Sequence, residues 1–208
     1  MGERLAVSII KDQKKLASVY FHWSRFTLSA LTECQKLIRI MNDEVVMDRT
    51  RGSNNEYHDV STRPNEYKTD DLRVKLALAL YDLDGGLYPV YLEKEREVLR
   101  DHSLPVAINH TCGMIAVSKE GIRDLEDIVE IYDGNFAVID LDKKLVKCMS
   151  WEHRSLSKKD MHLTVLPCKE RLVPFDQLEG LIKFLHTHDS ENEFITRKGR
   201  VARKISVW

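Results

Sequence analysis

The sequence predicts an α+β fold in which a mainly antiparallel sheet is covered by helices. Segments with a two-residue hydrophobic period and segments with a helical period occur in blocks, without strict strand–helix alternation, which is typical of this class. The chain of 208 residues fits a single domain spanning residues 1–208. Its hydrophobic content of 43% and charged content of 31% exclude a disordered or fibrous chain.

The first part of the chain reads as two strands, a helix and a loop. Residues 5–10 and 16–21 are β-prone runs on either side of a charged turn, which predicts a hairpin. An apolar stripe at spacings of three and four predicts a helix over Thr27–Met41 with Thr27 as its N-cap. Residues 48–68 hold many turn-forming residues and few aliphatic ones, so we expect an irregular loop of about 20 residues, a length usual for functional loops.

The remaining elements follow from the same periodicities. Thr69 and the acidic residues after it predict the N-terminus of a helix over 69–83, which Gly85 and Gly86 end. Another helix is predicted over 174–186, and residues 118–129 also have helical spacing. Strands are predicted at 105–108, 113–117, 136–141, 145–149 and 161–166, while 87–100 fits either type.

Charge and cysteine content limit the classes of partner. The 32 basic and 33 acidic residues give a net charge of −1, so we expect no general binding to nucleic acids or membranes. The N-terminal apolar run is too short for a signal peptide, which predicts a cytoplasmic protein. The four cysteines lack the spacing of zinc ligands, so we expect no metal, no cofactor and reduced thiols in the core.

Common catalytic motifs are missing from the sequence, which favours a binding protein over an enzyme. There is no phosphate-binding Gly-rich loop, no His-Glu-x-x-His and no Gly-x-Ser-x-Gly elbow. Arginine, aromatic and amide side chains instead cluster in three segments, in the pattern that nucleotide recognition requires. The predicted ligand-binding residues are His22, Trp23, Arg25, Arg51, Asn55, Tyr57, Arg63, Asn109 and His110.

Three stretches resemble small uncharacterised proteins of phages that infect Gram-positive bacteria. They are residues 2–10, 16–24 and 113–118. The resemblance implies an accessory protein in the host cytosol, where such proteins neutralise host immunity by acting on nucleotide messengers. We therefore expect an anti-defence protein that sequesters a nucleotide-like immune signal without turnover, as a homo-oligomer with pockets shared between chains.

An enzymatic alternative rests on two tripeptides. His22-Trp-Ser24 ends a predicted strand and His162-Leu-Thr164 lies within another, so each strand places a histidine and a hydroxyl on one side. This resembles the repeats of 2H phosphoesterases, and it implies a metal-independent phosphodiesterase that cleaves a cyclic nucleotide. The similar tripeptide at His153 falls in a predicted polar connection and serves as a negative control.

The predicted N-terminal hairpin is similar to the opening of N-terminal nucleophile hydrolases, which implies a layered fold of that kind. In that family residue 2 is a Cys, Ser or Thr nucleophile, whereas this chain has Gly2. Glycine has no nucleophilic side chain, so the covalent chemistry of the family is not expected.

The C-terminal segment, residues 194–208, carries five basic and no acidic residues. It supports a second alternative, in which the protein inhibits a host factor by binding it directly. The other interpretation of such a charge run is a solvated surface.

Overall fold

The computed structural model describes residues 5–21, 24, 26–51, 56–83, 114–116, 136–154, 164–188, 193–195 and 201–204. Its helices are α1 (Thr27–Met41), α2 (Leu72–Leu83) and α3 (Phe175–His188), and Pro64–Glu66 form a short 3-10 helix. Its strands are β1 (Leu5–Lys11), β2 (Lys14–Phe21), β3 (Val46–Arg51), β4 (Tyr57–Thr62), β5 (Met114–Ala116), β6 (Phe136–Asp140), β7 (Leu145–Arg154), β8 (Thr164–Pro174), β9 (Glu193–Ile195) and β10 (Val201–Lys204).

The main sheet has six strands in the order β5-β2-β1-β6-β7-β8. Within this sheet the central strands β1 and β6 are parallel, and the other four pairs of neighbouring strands are antiparallel. The pairs β3–β4 and β9–β10 form two separate two-stranded sheets. The predicted α+β class with a mainly antiparallel sheet is confirmed.

The N-terminal hairpin is confirmed with a tighter turn than the sequence indicated. Asp12 and Gln13 have φ values of 52° and 59°, which are those of a two-residue turn that matches the twist of its strands. The Asp142 carboxylate, in the turn between β6 and β7, accepts hydrogen bonds from both backbone N–H groups, at 3.1 and 2.9 Å. The two hairpin turns are thus joined at one end of the sheet.

One face of the main sheet packs against the helices and forms the core. Residues of β1 and β6 alternate so that Val7, Ile9, Ala137 and Ile139 lie in the same buried cluster. Helix α1 packs against β6, β7, α2 and α3, and therefore lies at the centre of this layer. The helices contribute Ala30, Leu31, Cys34, Leu37, Ile38, Ile40, Leu76, Ala77, Ala79, Leu80, Leu83 and Leu178.

The N-terminus of α1 differs from the sequence prediction. The N-cap position is Phe26, which offers no side-chain hydrogen bond, and Thr27 is the first helical residue. The predicted role of Thr27 as a cap is therefore wrong. Its buried hydroxyl lies 2.9 Å from the Ser150 hydroxyl of β7, beside an irregularity in the β7–β8 pairing, and joins the helix to the sheet.

Helix α2 begins three residues later than predicted, because Asp71 caps it. The Asp71 carboxylate accepts a hydrogen bond from the backbone N–H of Arg73 at 2.9 Å, as an N-cap side chain does. It also pairs with the Arg73 guanidinium at 2.8 Å. Thr69 forms a local turn instead, since its hydroxyl accepts the backbone N–H of Asp71.

The predicted irregular loop over 48–68 is wrong. Strands β3 and β4 form a regular antiparallel hairpin there, with Val46 opposite Thr62 and Arg51 opposite Tyr57. Among the inward residues whose burial is described, Val46 and Thr62 are completely buried, and the hairpin packs against α2. Because so few of its residues are apolar, this hairpin has only a weak hydrophobic period of two in the sequence, and its strands were not predicted.

Other boundaries shift by a few residues. Strand β7 extends to Arg154, so His153 lies in a strand and not in a polar connection. Strand β8 runs over Thr164–Pro174, later than the predicted 161–166, and α3 extends the predicted helix to His188. Strand β5 matches the prediction for 113–117, whereas the predictions for 87–100, 105–108 and 118–129 lie outside the described residues. Cys34 and Cys148 are buried free thiols, as predicted.

Candidate functional site

Most of the predicted site residues fall outside the part of the chain that the structure describes. The side chains of Tyr57, Arg63 and Ser24 are described, whereas Arg51 and Thr164 are described as strand positions only. The predicted residues outside the described part are His22, Trp23, Arg25, Asn55, Asn109, His110 and His162.

Tyr57 lies on the solvent side of the β3–β4 hairpin. We call this surface the outer hairpin face and define it by Met47, Arg49, Tyr57, Asp59 and Ser61, which alternate with the inward residues of the two strands. All five are exposed, Met47 to 70% and Tyr57 to 48%. The alternation follows from the geometry of a strand, whose successive side chains point to opposite faces.

The guanidinium of Arg49 lies over the Tyr57 ring, with its Cζ atom 5.6 Å from the ring centroid. Arg49 stands opposite Asp59 in the hairpin register, and its Nε atom is 3.9 Å from the Asp59 Oδ1 atom. Arg51 occupies the register position opposite Tyr57. An exposed ring beside a guanidinium can stack on a flat heterocycle and hold an anion next to it.

Arg63 is not brought to the same place. It follows the far end of β4, and the five-residue rise from Tyr57 to Thr62 corresponds to roughly 17 Å. Its guanidinium is exposed and forms an ion pair with Glu66 at 3.4 Å. Tyr57 and Arg51 are thus neighbours in the hairpin, whereas Arg63 lies apart from them.

Ser24 lies in a buried polar cluster near the N-terminus of α1. Its hydroxyl donates a hydrogen bond to the Glu33 carboxylate at 3.3 Å. The Lys36 ammonium lies 2.8 Å from the other Glu33 oxygen and 2.5 Å from Asp48 of β3. Burial raises the pKa of the Glu33 carboxyl, and Lys36 only partly offsets that effect.

This cluster joins three parts of the chain. It ties Ser24, in the segment between β2 and α1, to α1 and ties α1 to the hairpin. Ser24 is only 3% exposed, so its hydroxyl faces Glu33 and not solvent. In the enzymatic alternative this hydroxyl would have to hold a phosphate oxygen at a position that solvent does not reach.

The strands that carry the enzymatic alternative lie far apart in the sheet. His22 directly follows β2 and Thr164 begins β8, and β1, β6 and β7 separate these two strands. Four inter-strand steps correspond to roughly 19 Å. The sheet order therefore does not favour two histidines on either side of one phosphate.

Two residues of the outer hairpin face, Arg49 and Asp59, are not among the nine predicted ligand-binding residues. A period of two in Met47, Arg49 and Arg51 is the signal that could have identified Arg49, since a strand places alternate residues on one face. The pairing of Arg49 with Tyr57 and Asp59 requires the hairpin register, and the irregular loop predicted for this segment has no register.

Among the described residues, no group of three or more His, Cys, Asp or Glu side chains is arranged to hold a metal ion. Helices of the described part are also too short or too polar to cross a membrane. Comparison with known proteins gives no match to a family model, to a curated protein or to a solved structure.

Proposed function

We propose that the protein binds a nucleotide-like signalling molecule and sequesters it without turnover, in the manner of a phage accessory protein that blocks host defence. The observation that carries this proposal is the outer hairpin face, where an exposed tyrosine ring lies under an arginine guanidinium. A base can stack on Tyr57, while Arg49 and Arg51 supply positive charge for phosphate groups.

Sequestration requires tight, stoichiometric binding, which one open hairpin face does not provide alone. Ligand pockets usually enclose most of the ligand surface. We therefore propose that the site is completed by other residues among those predicted, or by a second copy of the chain in a cytoplasmic homo-oligomer. Size-exclusion chromatography with light scattering, with and without ligand, tests the oligomeric part of the proposal.

The proposal is tested by ligand recovery. The protein is incubated with cyclic nucleotides and cyclic ADP-ribose isomers, separated from free ligand, and heat-denatured. We expect one molecule to be released chemically intact, because the protein binds without cleaving. Release of a hydrolysed product would favour the phosphodiesterase alternative, and release of none of these molecules would refute nucleotide sequestration.

Substitutions on the hairpin assign the binding to Tyr57. Stacking on an aromatic ring contributes roughly 1–3 kcal/mol per base, so Tyr57→Ala is expected to weaken binding by about that amount, as measured by calorimetry. Tyr57→Phe keeps the ring and is expected to retain most of the affinity. Phe184→Ala removes a ring of similar exposure, 55%, from α3 and serves as the control. Equal affinities for Tyr57→Ala and the unmodified protein would place the ligand elsewhere.

A further inference from the structure

Asp59 lies on the outer hairpin face, directly opposite Arg49 in the hairpin register. Its carboxylate faces Arg49 across the hairpin, but the nearest approach, Nε to Oδ1, is 3.9 Å. The Arg49 and Asp59 side chains are 56% and 79% exposed. An ion pair this loose and this exposed contributes little to folding.

The same carboxylate bears directly on anion binding. Arg49 can offer two parallel N–H groups to a phosphate, which is the geometry that makes arginine a common phosphate ligand. Asp59 lies beside this guanidinium, so its charge repels an incoming phosphate. Asp59 therefore lowers the affinity of this face for any anion that binds Arg49.

We infer that Asp59 sets the anion affinity of the outer hairpin face. Its carboxylate competes with the phosphate of a ligand for Arg49, so bare anions are held weakly and a ligand must also stack on Tyr57 to be retained. The inference rests on the proposed function and identifies its ligand class as anions that carry a flat heterocycle. The same carboxylate weakens the binding of phosphate and pyrophosphate.

The test compares Asp59→Asn with the unmodified protein by NMR titration of the Arg49 Nε–H and Tyr57 ring signals. The probes are inorganic pyrophosphate, ADP-ribose and adenosine, which separate charge from stacking. Asp59→Asn removes a like charge beside the guanidinium that a phosphate would contact, which predicts a gain of about three- to tenfold in affinity for pyrophosphate and ADP-ribose. Adenosine is uncharged, so its affinity is expected to stay unchanged, and 1 M salt is expected to remove the gain.

Glu44→Gln is the matched control, because it removes a carboxylate from another exposed ion pair, that of Arg39 with Glu44 at 3.0 Å. It is expected to leave all three affinities unchanged. Unchanged pyrophosphate affinity in Asp59→Asn, or an equal gain in Glu44→Gln, would overturn the inference. A gain for pyrophosphate without any binding of ADP-ribose or of the other nucleotides would support the role of Asp59 while refuting nucleotide binding.

Discussion

At the scale of single residues, Glu33 is a carboxylate that the fold tolerates at a cost. It lies almost fully inside the protein, 8% exposed, between Ser24 and Lys36. Buried charges need a partner, and Lys36 is shared here between Glu33 and Asp48. Since burial is the largest influence on the pKa of Glu33 and raises it, the folded protein favours the protonated carboxyl more than the unfolded chain does.

This raised pKa predicts a stabilising substitution. A carboxyl whose pKa is higher in the folded state contributes stability below its unfolded pKa and loses it as pH rises through the folded pKa. Glu33→Gln keeps the shape without the charge and is expected to raise the melting temperature at pH 8. The difference is expected to vanish near pH 4, where both side chains are neutral. Thermal unfolding across this pH range measures it, and a lower melting temperature for Glu33→Gln at pH 8 would contradict the expectation.

The candidate site shows at residue scale what the sequence can and cannot supply. Tyr57 and Arg51 were predicted from residue type alone, because ring and guanidinium groups suit nucleotides wherever they are exposed. Arg63 met the same criterion, yet the hairpin places it at the opposite end and beside Glu66. Residue type thus indicates which side chains suit a nucleotide, whereas the strand register determines which of them lie next to each other.

At the scale of elements, the hairpin β3–β4 is held to α2 by a partly buried hydroxyl network. The Tyr67 hydroxyl, after the 3-10 helix, donates to the Asp82 carboxylate of α2 and contacts the Thr62 hydroxyl of β4. Burial, followed by the hydrogen bond to Asp82, raises the pKa of Tyr67 above its usual value. The network therefore depends on the neutral phenol.

Tyr67→Phe is expected to destabilise the protein by about 1–3 kcal/mol at neutral pH, because Asp82 and Thr62 lose a partner. Denaturant unfolding measures this cost, with Tyr57→Phe as the exposed control of the same chemistry. Above pH 10, Tyr67 ionises in the unfolded chain but stays neutral in the folded protein. The free energy of unfolding of the unmodified protein therefore falls as pH rises, and its difference from that of Tyr67→Phe becomes smaller. Equal stability of the two Tyr→Phe variants would contradict this role.

The first hairpin turn also allows a sharp prediction. Gln13 adopts a left-handed conformation that glycine adopts without strain. Gln13→Gly is expected to stabilise the protein by about 1 kcal/mol, or roughly 2–4 °C in melting temperature. Its backbone N–H can still donate to Asp142. Lys14→Gly, in the adjacent strand, is expected to lower the stability of the protein. A similar change of melting temperature in both variants would contradict a specific effect of the turn.

At the scale of the whole molecule, the sequence predicted the fold class and most elements, because long periodic segments bury continuous apolar faces. Helix α1 and hairpin β1–β2 have strong periods of this kind, and their boundaries agree with the structure to within one or two residues. The hairpin β3–β4 was missed because its inner face is polar except for a few residues. The sheet order and the parallel β1–β6 pair depend on contacts between residues distant in sequence. The local spacing of apolar residues does not predict such contacts.

The parallel β1–β6 pair also sets when the protein can finish folding during its own synthesis. Ala6 pairs with Phe136, so the centre of the main sheet cannot close until the ribosome has made the chain through β6. At usual translation speeds the residues between the end of β1 and the end of β6 take roughly 6–26 s to add. During this interval β1 presents an unpaired edge on a nascent chain, together with Leu5, Val7 and Ile9, which are fully buried in the finished protein. The N-terminal hairpin therefore has an unpaired apolar edge, of the kind that promotes aggregation, until β6 has been made.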